Sequence, residues 1–151
     1  MVKLMVLGTP APKGSARAFM TRGSNPRAVL ASGSSAVGRQ KIKAWEQAVR
    51  EVAQLAVIGQ AGPTFVDVPL RVTMVFRMAR PAGHWGKKGL KPSAPQYPAG
   101  RPDLDKLVRA TADALTGSIY DDDARIVEKL SSKVYAEAGA EGATITVEAM
   151  I

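Results

Sequence analysis

Apolar residues recur along the chain at spacings that predict a small set of helices and strands. Val2–Leu7 is short, apolar and typical of a strand, and residues 28–31 predict a second, brief one. Over residues 38–58, apolar side chains at i, i+3, i+7, i+10 and i+14 predict an amphipathic helix. This stripe consists of Ile42, Trp45, Val49, Val52 and Ala56. We therefore expect Trp45 to lie in the core.

A strongly alternating segment and a long irregular one follow the first predicted helix. Residues 67–78 alternate between an apolar face and a face that carries Arg71 and Arg77, as in a half-buried strand. Residues 80–101 are rich in glycine, proline and basic side chains and show no periodicity, so they predict a long basic loop. Loops of this length inside compact domains tend to be functional or mobile.

The last third of the chain adds one helix and two strands. Residues 102–116 carry an apolar face at helical spacing, and Gly117 provides a stop signal for the helix. Residues 126–136 and 143–151 predict the closing strands. The order β-(β)-α-β-α-β-β predicts a single α/β (α+β) domain over residues 1–151, with a mixed β-sheet and two main helices.

Composition removes several classes of function. The chain has no cysteine, which excludes disulfide scaffolds, thiolate metal sites and cysteine nucleophiles. Its one histidine, His84, excludes a multi-histidine zinc site and disfavours a Ser-His-Asp hydrolase. No apolar run approaches the roughly 20 residues of a membrane span, and the first ten residues do not resemble a signal peptide. We expect a soluble, cytoplasmic protein that does not contact membranes.

Charge is distributed unevenly along the chain, whose formal net charge is +8. Residues 1–100 carry fifteen basic and three acidic side chains, a net +12, whereas residues 101–151 carry six and ten, a net −4. A strongly basic body favours a polyanionic partner such as nucleic acid. Carboxylates near a phosphate-binding surface repel the ligand unless a metal ion lies between them. The acidic residues of the last third are therefore candidates for metal binding.

Two groups of aspartates flank the second predicted helix. Asp103 and Asp105 lie at its start, and Asp121 to Asp123 follow shortly after its end. If the chain returns beside the helix, these carboxylates can hold Mg²⁺ or Mn²⁺ and leave positions open for water and phosphate. Such an ion polarises a phosphodiester and lowers the pKa of a bound water. The pattern therefore predicts metal-assisted hydrolysis of a phosphodiester.

Each of these acidic groups also has a purely structural interpretation. Aspartates at a helix start cap it and complement its dipole, which describes Asp103 and Asp105 equally well. Residues 121–123 can form a solvated turn. Asp113 can pair with Arg109 at i, i+4. The confinement of all these acids to the tail of a basic protein favours the metal interpretation.

Two separated motifs together resemble a known nuclease family. The block R-P-D-L-D-K-L-V-R-A-T-A-D-A-L-T-G-S-I-Y-D-D-D-A-R-I over residues 101–126 resembles the signature of RusA-type Holliday-junction endodeoxyribonucleases, D-L-D-N-x-x-K-x-x-x-D-A-L followed by D-D-x-Q-I. The family's opening G-x-P-x-P-K-G-x-x-R is matched by residues 8–17. Lys133 lies where family members often carry a lysine.

The resemblance implies a Mg²⁺-dependent homodimeric endonuclease that cuts branched DNA, a four-way junction above all, in recombination and repair. It places the metal ligands at Asp103, Asp105 and Asp123, with Asp122 beside them, and makes the first three catalytic together with Arg109. The family has a lysine where this chain has Arg109. Because a guanidinium stays charged, we expect Arg109 to clamp phosphate or stabilise its transition state rather than transfer a proton.

Basic residues outside the acidic block are candidate DNA contacts. They are Lys13, Arg17, Arg71, Arg77, Lys87, Lys88, Lys106 and Lys133. Trp85 lies among lysines of the 80–101 loop, where it can stack on an unpaired base or pack into an apolar notch. His84, in the same loop, is a weak candidate for a base.

Two other functions remain open on the sequence alone. A non-catalytic nucleic-acid-binding module explains the basic charge but gives the carboxylates no role. A nuclease of the P-D-(D/E)-x-K class is suggested by Pro102-Asp103, but Glu128-Lys129 lacks the intervening residue that this class requires.

Overall fold

The structure is a computed structural model, and it describes residues 1–14, 16–32 and 36–151. Its strands are β1 (Val2–Leu7), β2 (Ala16–Met20), β3 (Ala28–Ser32), β4 (Leu70–Met78), β5 (Trp85–Gly86), β6 (Gly89–Leu90), β7 (Ile126–Tyr135) and β8 (Gly142–Ala149). Its two α-helices are α1 (Ala36–Ala56) and α2 (Leu104–Leu115). This composition and order confirm the predicted α+β class with two main helices.

Four strands form the main sheet in the order β1-β8-β4-β7. The pairs β1/β8 and β8/β4 are antiparallel, whereas β4 and β7 are parallel, as their connection through α2 requires. The sheet is therefore mixed, as the sequence predicts. Strand β7 lies at its edge, next to the helix that precedes it in the chain.

The alternation of β4 separates a covered face of the sheet from an open one. Leu70, Val72, Met74 and Phe76 are fully buried, whereas the intervening side chains are only partly covered. The buried side chains form one core with apolar residues of both helices, which lie on this face. The predicted inward face of this strand is thus confirmed, and Arg71 and Arg77 lie on the opposite face.

The two helices pack against each other through a buried polar contact. Trp45 of α1 is 1% exposed, which confirms its predicted place in the core. Its indole Nε1 donates to Thr111 Oγ1 in α2 at 3.0 Å, and the Thr111 hydroxyl donates to the carbonyl of Leu107 at 2.9 Å. Both buried polar groups are thereby paired, as burial requires. The end of the apolar stripe differs from the prediction, because Ala53 rather than Ala56 is buried.

The strand predicted over residues 28–31 is confirmed as β3, whereas its hairpin partner β2 and the hairpin of β5 and β6 were not predicted from the sequence. Strands β2 and β3 pair in antiparallel fashion, although residues 16–20 lie among turn-forming residues. Within the predicted loop 80–101, a 3₁₀ turn at Ala82–His84 precedes the hairpin of β5 and β6. Both are too short to show a period. Among the described residues, no helix has the length and apolar character needed to cross a membrane.

Candidate metal and phosphate site

The chain enters α2 through Asp103, which occupies the N-cap position with extended backbone. Its carboxylate makes no capping hydrogen bond and lies 3.4 Å from Lys106 Nζ. The carbonyls of Gly100 and Pro102, just before it, accept hydrogen bonds from Lys133 Nζ at 2.8 and 2.9 Å. The segment before α2 is thus held to β7, and the side chain of Asp103 does not act as a simple helix cap.

Tyr120 brings the acidic turn back to the end of α2. Its side chain is fully buried, and its hydroxyl donates to the carbonyl of Ala112 in α2 at 2.7 Å. Burial raises the pKa of Tyr120, so the hydroxyl stays protonated as a donor. Gly117, at φ 92°, forms the bend between the end of α2 and Tyr120. Its N–H donates to the carbonyl of Tyr120 at 2.8 Å. The aspartates that follow therefore lie beside the helix.

A cleft of about 560 Å³ lies where α2, the acidic turn and β7 meet. Its charged lining residues are Asp105, Arg109, Asp113, Asp123, Glu128 and Lys129. The structure thus places Asp105 and Asp123, from the two predicted groups, on the walls of one cleft together with Arg109. Asp103 and Asp122 are not among the residues that line it.

The three consecutive aspartates have different surroundings. Asp121 accepts from Arg125 Nη2 at 3.1 Å, and this hydrogen bond lowers the pKa of its carboxyl. Asp122 caps the 3₁₀ turn Asp123–Arg125, because its Oδ1 accepts from the N–H of Ala124 at 2.8 Å. Asp123 lines the cleft. The solvated-turn interpretation therefore describes Asp122 and Asp123, which are both exposed, and Asp123 lines the cleft in addition.

The cleft offers the oxygen ligands that a hard cation prefers, but not a closed cage. In the described part of the chain, no group of three or more His, Cys, Asp or Glu side chains is arranged to hold a metal ion. Mg²⁺ is commonly bound by one or two carboxylates, with water and substrate phosphate completing its shell. Asp105 and Asp123 supply two carboxylates of the kind that such a Mg²⁺ site uses. The metal-ligand roles of all four aspartates, Asp103, Asp105, Asp122 and Asp123, stay predictions.

Asp113 forms an ion pair across the two ends of the chain. Its Oδ2 lies 2.8 Å from Lys13 Nζ, which also lies 3.8 Å from Glu46 of α1. The backbone N–H of Lys13 donates to the carbonyl of Lys106 at 3.1 Å. The loop after β1 is therefore attached to α2, and the partner of Asp113 in these contacts is Lys13.

The other predicted DNA contacts have diverse surroundings. Arg71 is held by Glu128 at 3.0 Å, a hydrogen bond that raises the pKa of its guanidinium. Arg77 donates to the carbonyl of Ala140 at 2.9 Å and to Thr144 Oγ1 at 2.7 Å. Both arginines thus have partners on the open face of the sheet. The Arg17 side chain lies outside the described residues, and its DNA contact stays a prediction.

The basic 80–101 segment is attached to β7 through Tyr135. The Arg80 guanidinium lies 4.2 Å from the centre of the Tyr135 ring, and His84 meets the same ring edge-on at 5.5 Å. Lys87 and Lys88 form the exposed turn between β5 and β6. Trp85, next to this turn, is 45% exposed. It is therefore not buried in an apolar pocket, which was one of the two predicted alternatives.

Glu128 and Lys129 line the cleft and were not predicted as site residues. In sequence they are adjacent and do not complete the E-x-K pattern. The relevant signal is their position at the start of the strand after the acidic turn. Since β7 is an edge strand, consecutive residues that alternate between its two faces border the cleft.

Comparison with known proteins gives one family. A family model described as endodeoxyribonuclease RusA matches residues 12–148. The match includes Lys13, both helices and the three elements that line the cleft, namely α2, the acidic turn and β7. A comparison with curated proteins finds no match for the chain.

Proposed function

Since this chain belongs to the RusA family of endodeoxyribonucleases, we propose that it resolves four-way DNA junctions by Mg²⁺-dependent phosphodiester hydrolysis in recombination and repair. The observation that supports this proposal most directly is the shared cleft of Asp105, Asp123 and Arg109. Carboxylates from two separate segments and a permanent cation meet there. This is the combination that hydrolysis of a phosphodiester uses.

In this proposal Asp105 and Asp123 hold the cation, with Asp103 and Asp122 as neighbours that reach it when the turn and the α2 entrance adjust. The bound ion, Mg²⁺ or Mn²⁺, supplies Lewis acidity to the phosphate and acidity to a water. Arg109 binds a non-bridging phosphate oxygen and stays charged throughout, because its guanidinium does not lose its proton. Its charge then stabilises the additional negative charge of the transition state.

The remaining surface supports a DNA substrate. The net charge of +8 attracts a polyanion at long range. Lys87 and Lys88 present two adjacent charges at an exposed turn, and we assign them to the phosphate backbone. Lys106 lies in the first turn of α2, 3.4 Å from Asp103, and we assign it to the phosphate backbone as well.

We further propose that the active form is a homodimer. A four-way junction has near two-fold symmetry and needs two symmetric cuts, one for each product duplex. A C2 dimer presents two copies of the cleft in that relation. Sedimentation with and without a junction distinguishes this assembly from a monomer that cuts twice.

The test is cleavage of end-labelled four-way and linear duplexes with and without Mg²⁺. We expect Mg²⁺-dependent cleavage of the junction, and its loss in Asp103→Asn, Asp105→Asn and Asp123→Asn. Loss of one metal-site carboxylate is expected to lower the rate by at least about 100-fold. Junction binding without metal is expected to survive or strengthen, since these carboxylates repel phosphate.

The matched control is Glu51→Gln, which removes a carboxylate on the exposed surface of α1. It is expected to cleave as the unmodified protein does. Normal cleavage by Asp123→Asn would refute the assigned site. Binding of the junction with no cleavage in Mg²⁺ or Mn²⁺ would instead favour a non-catalytic nucleic-acid-binding module, the function that the basic charge alone supports.

A further inference from the structure

Within the part of the chain that the structure describes, Lys129 differs from the other lysines near the cleft in having no partner for its ammonium. Lys13 pairs with Asp113, Lys106 with Asp103, and Lys133 with two backbone carbonyls. In contrast, no ion pair or hydrogen bond of the described residues engages the Lys129 ammonium. It is an exposed cation on the wall of a cleft that also carries four carboxylates.

The register of β7 places Lys129 on the side of the sheet that faces α2. Lys129 pairs with Val72 of β4, whose side chain is buried on the helix-covered face. Neighbouring residues in a paired register point to the same face of a sheet. Lys129 therefore approaches the cleft from the β7 side, whereas Arg109 approaches from α2.

The neighbouring glutamate leaves this charge uncompensated. Glu128 also lines the cleft, but its carboxylate accepts from Arg71 Nη2 at 3.0 Å, on the open face of the sheet. The alternation of the strand thus separates Glu128 and Lys129. Arg71 neutralises the Glu128 carboxylate. The Lys129 ammonium stays exposed at the cleft, where it can contact a ligand.

From this arrangement we infer that Lys129 is a catalytic residue that contacts a non-bridging oxygen of the phosphate being cleaved, opposite Arg109. The inference rests on the proposed nuclease function. Two cations on facing walls draw an anionic phosphodiester in between Asp105 and Asp123, and they stabilise the charge that develops as the bond to the leaving oxygen lengthens. Lys129 acts here as a fixed positive charge and transfers no proton.

The first test compares single-turnover cleavage of a four-way junction by Lys129→Met and Lys129→Arg. We expect Lys129→Met to be slower by about 100-fold, the usual cost of removing one donor to a developing charge. Lys129→Arg is expected to stay within about tenfold of the unmodified protein, because it keeps the charge. With Ca²⁺ in place of Mg²⁺ to prevent cleavage, junction affinity is expected to change by less than about threefold.

The charge-matched control is Lys43→Met, which removes one exposed lysine from α1 and is expected to cleave normally. Cleavage by Lys129→Met within threefold of the unmodified rate would overturn the inference. So would a Lys129→Arg variant as slow as Lys129→Met, since charge alone would then not explain the effect. Thermal unfolding followed by circular dichroism establishes that each variant is folded.

A second test uses the unmodified protein and does not depend on cleavage. Acetylation of individual lysines is measured by mass spectrometry with and without bound junction in Ca²⁺. We expect the junction to protect Lys129 about tenfold and to leave Lys43 unprotected. Equal labelling of Lys129 in both samples would overturn the contact. If the unmodified protein binds but never cleaves, the nuclease proposal fails, whereas the labelling result still decides whether Lys129 touches DNA.

Discussion

Asp121, Asp122 and Asp123 show how neighbouring residues of one type acquire different properties. The backbone directs each carboxylate to a different surrounding: a guanidinium, a backbone N–H and the cleft. Arg125 is the organising residue, because it also lies 3.0 Å from Asp67, ahead of β4. Arg125 thus engages Asp121 and Asp67, whereas Asp123 borders the cleft.

This arrangement makes a prediction about pH. Arg125→Met removes the hydrogen bond that lowers the pKa of Asp121, so we expect that pKa to rise, as measured by carboxyl-carbon NMR. A lowered folded-state pKa stabilises the fold above the unfolded value of about 3.9, and this contribution disappears as the pH falls through the folded value. The stability difference between the two proteins should therefore be largest above about pH 4 and shrink in acid.

The control for this titration is Arg50→Met, which removes an ion pair with Glu46 on α1. It is expected to leave the Asp121 titration unchanged. A stability difference for Arg125→Met that persists undiminished below about pH 2 would mean that packing of the arginine, not its charge, supports the turn.

At the scale of elements, the site depends on strand β7, which lines the cleft and also binds the segment that precedes α2. Lys133, in β7, donates to the carbonyls of Gly100 and Pro102, directly before Asp103. The start of the strand carries Glu128 and Lys129 into the cleft. One edge strand therefore both lines the cleft and fixes the entrance of the helix opposite.

Lys133→Met should accordingly loosen the entrance of α2. We expect a loss of about 1–2 kcal/mol of unfolding free energy, since two hydrogen bonds that the charged ammonium donates disappear from a partly exposed site. Hydrogen exchange at residues 100–106 is expected to accelerate. The adjacent Ser132→Ala serves as the control, because that side chain is exposed. If Lys133→Met weakened DNA binding without changing stability, Lys133 would contact DNA, as the sequence predicts. Its hydrogen bonds to Gly100 and Pro102 would then not be needed for stability.

The same elements show what the sequence could predict. Periodicity located α1, β4 and α2 to within a few residues, because each has one buried face long enough to reveal a period. It missed β2 and the β5/β6 hairpin, which are short. Asp105, Asp123 and Arg109 were found through their motif, whereas Glu128 and Lys129 reach the cleft only through the parallel register with β4. The pair Lys13–Asp113 joins residues 100 positions apart, and no local pattern reveals it.

At the scale of the whole molecule, positive and negative charge are distributed unevenly along the chain. The basic surplus lies in residues 1–100, and the acidic surplus lies in residues 101–151, which supply the charged lining of the cleft. Under the proposed function, the basic surplus attracts a polyanion, and a divalent cation bound in the cleft would offset repulsion by the cleft carboxylates. Productive placement of the phosphate would then depend on the metal.

The exposed turn with Lys87 and Lys88 is where we expect this long-range attraction to be measurable. Neutralising both, as Lys87→Met/Lys88→Met, removes the two proposed contacts with phosphates. Because each contact contributes about 0.9 to the slope of log K against log salt, the slope should become shallower by about 2. Junction affinity is measured at several salt concentrations in Ca²⁺, with Lys41→Met/Lys43→Met on α1 as a charge-matched control. Equal changes in the two double variants would show that only net charge matters and that the hairpin makes no defined contact.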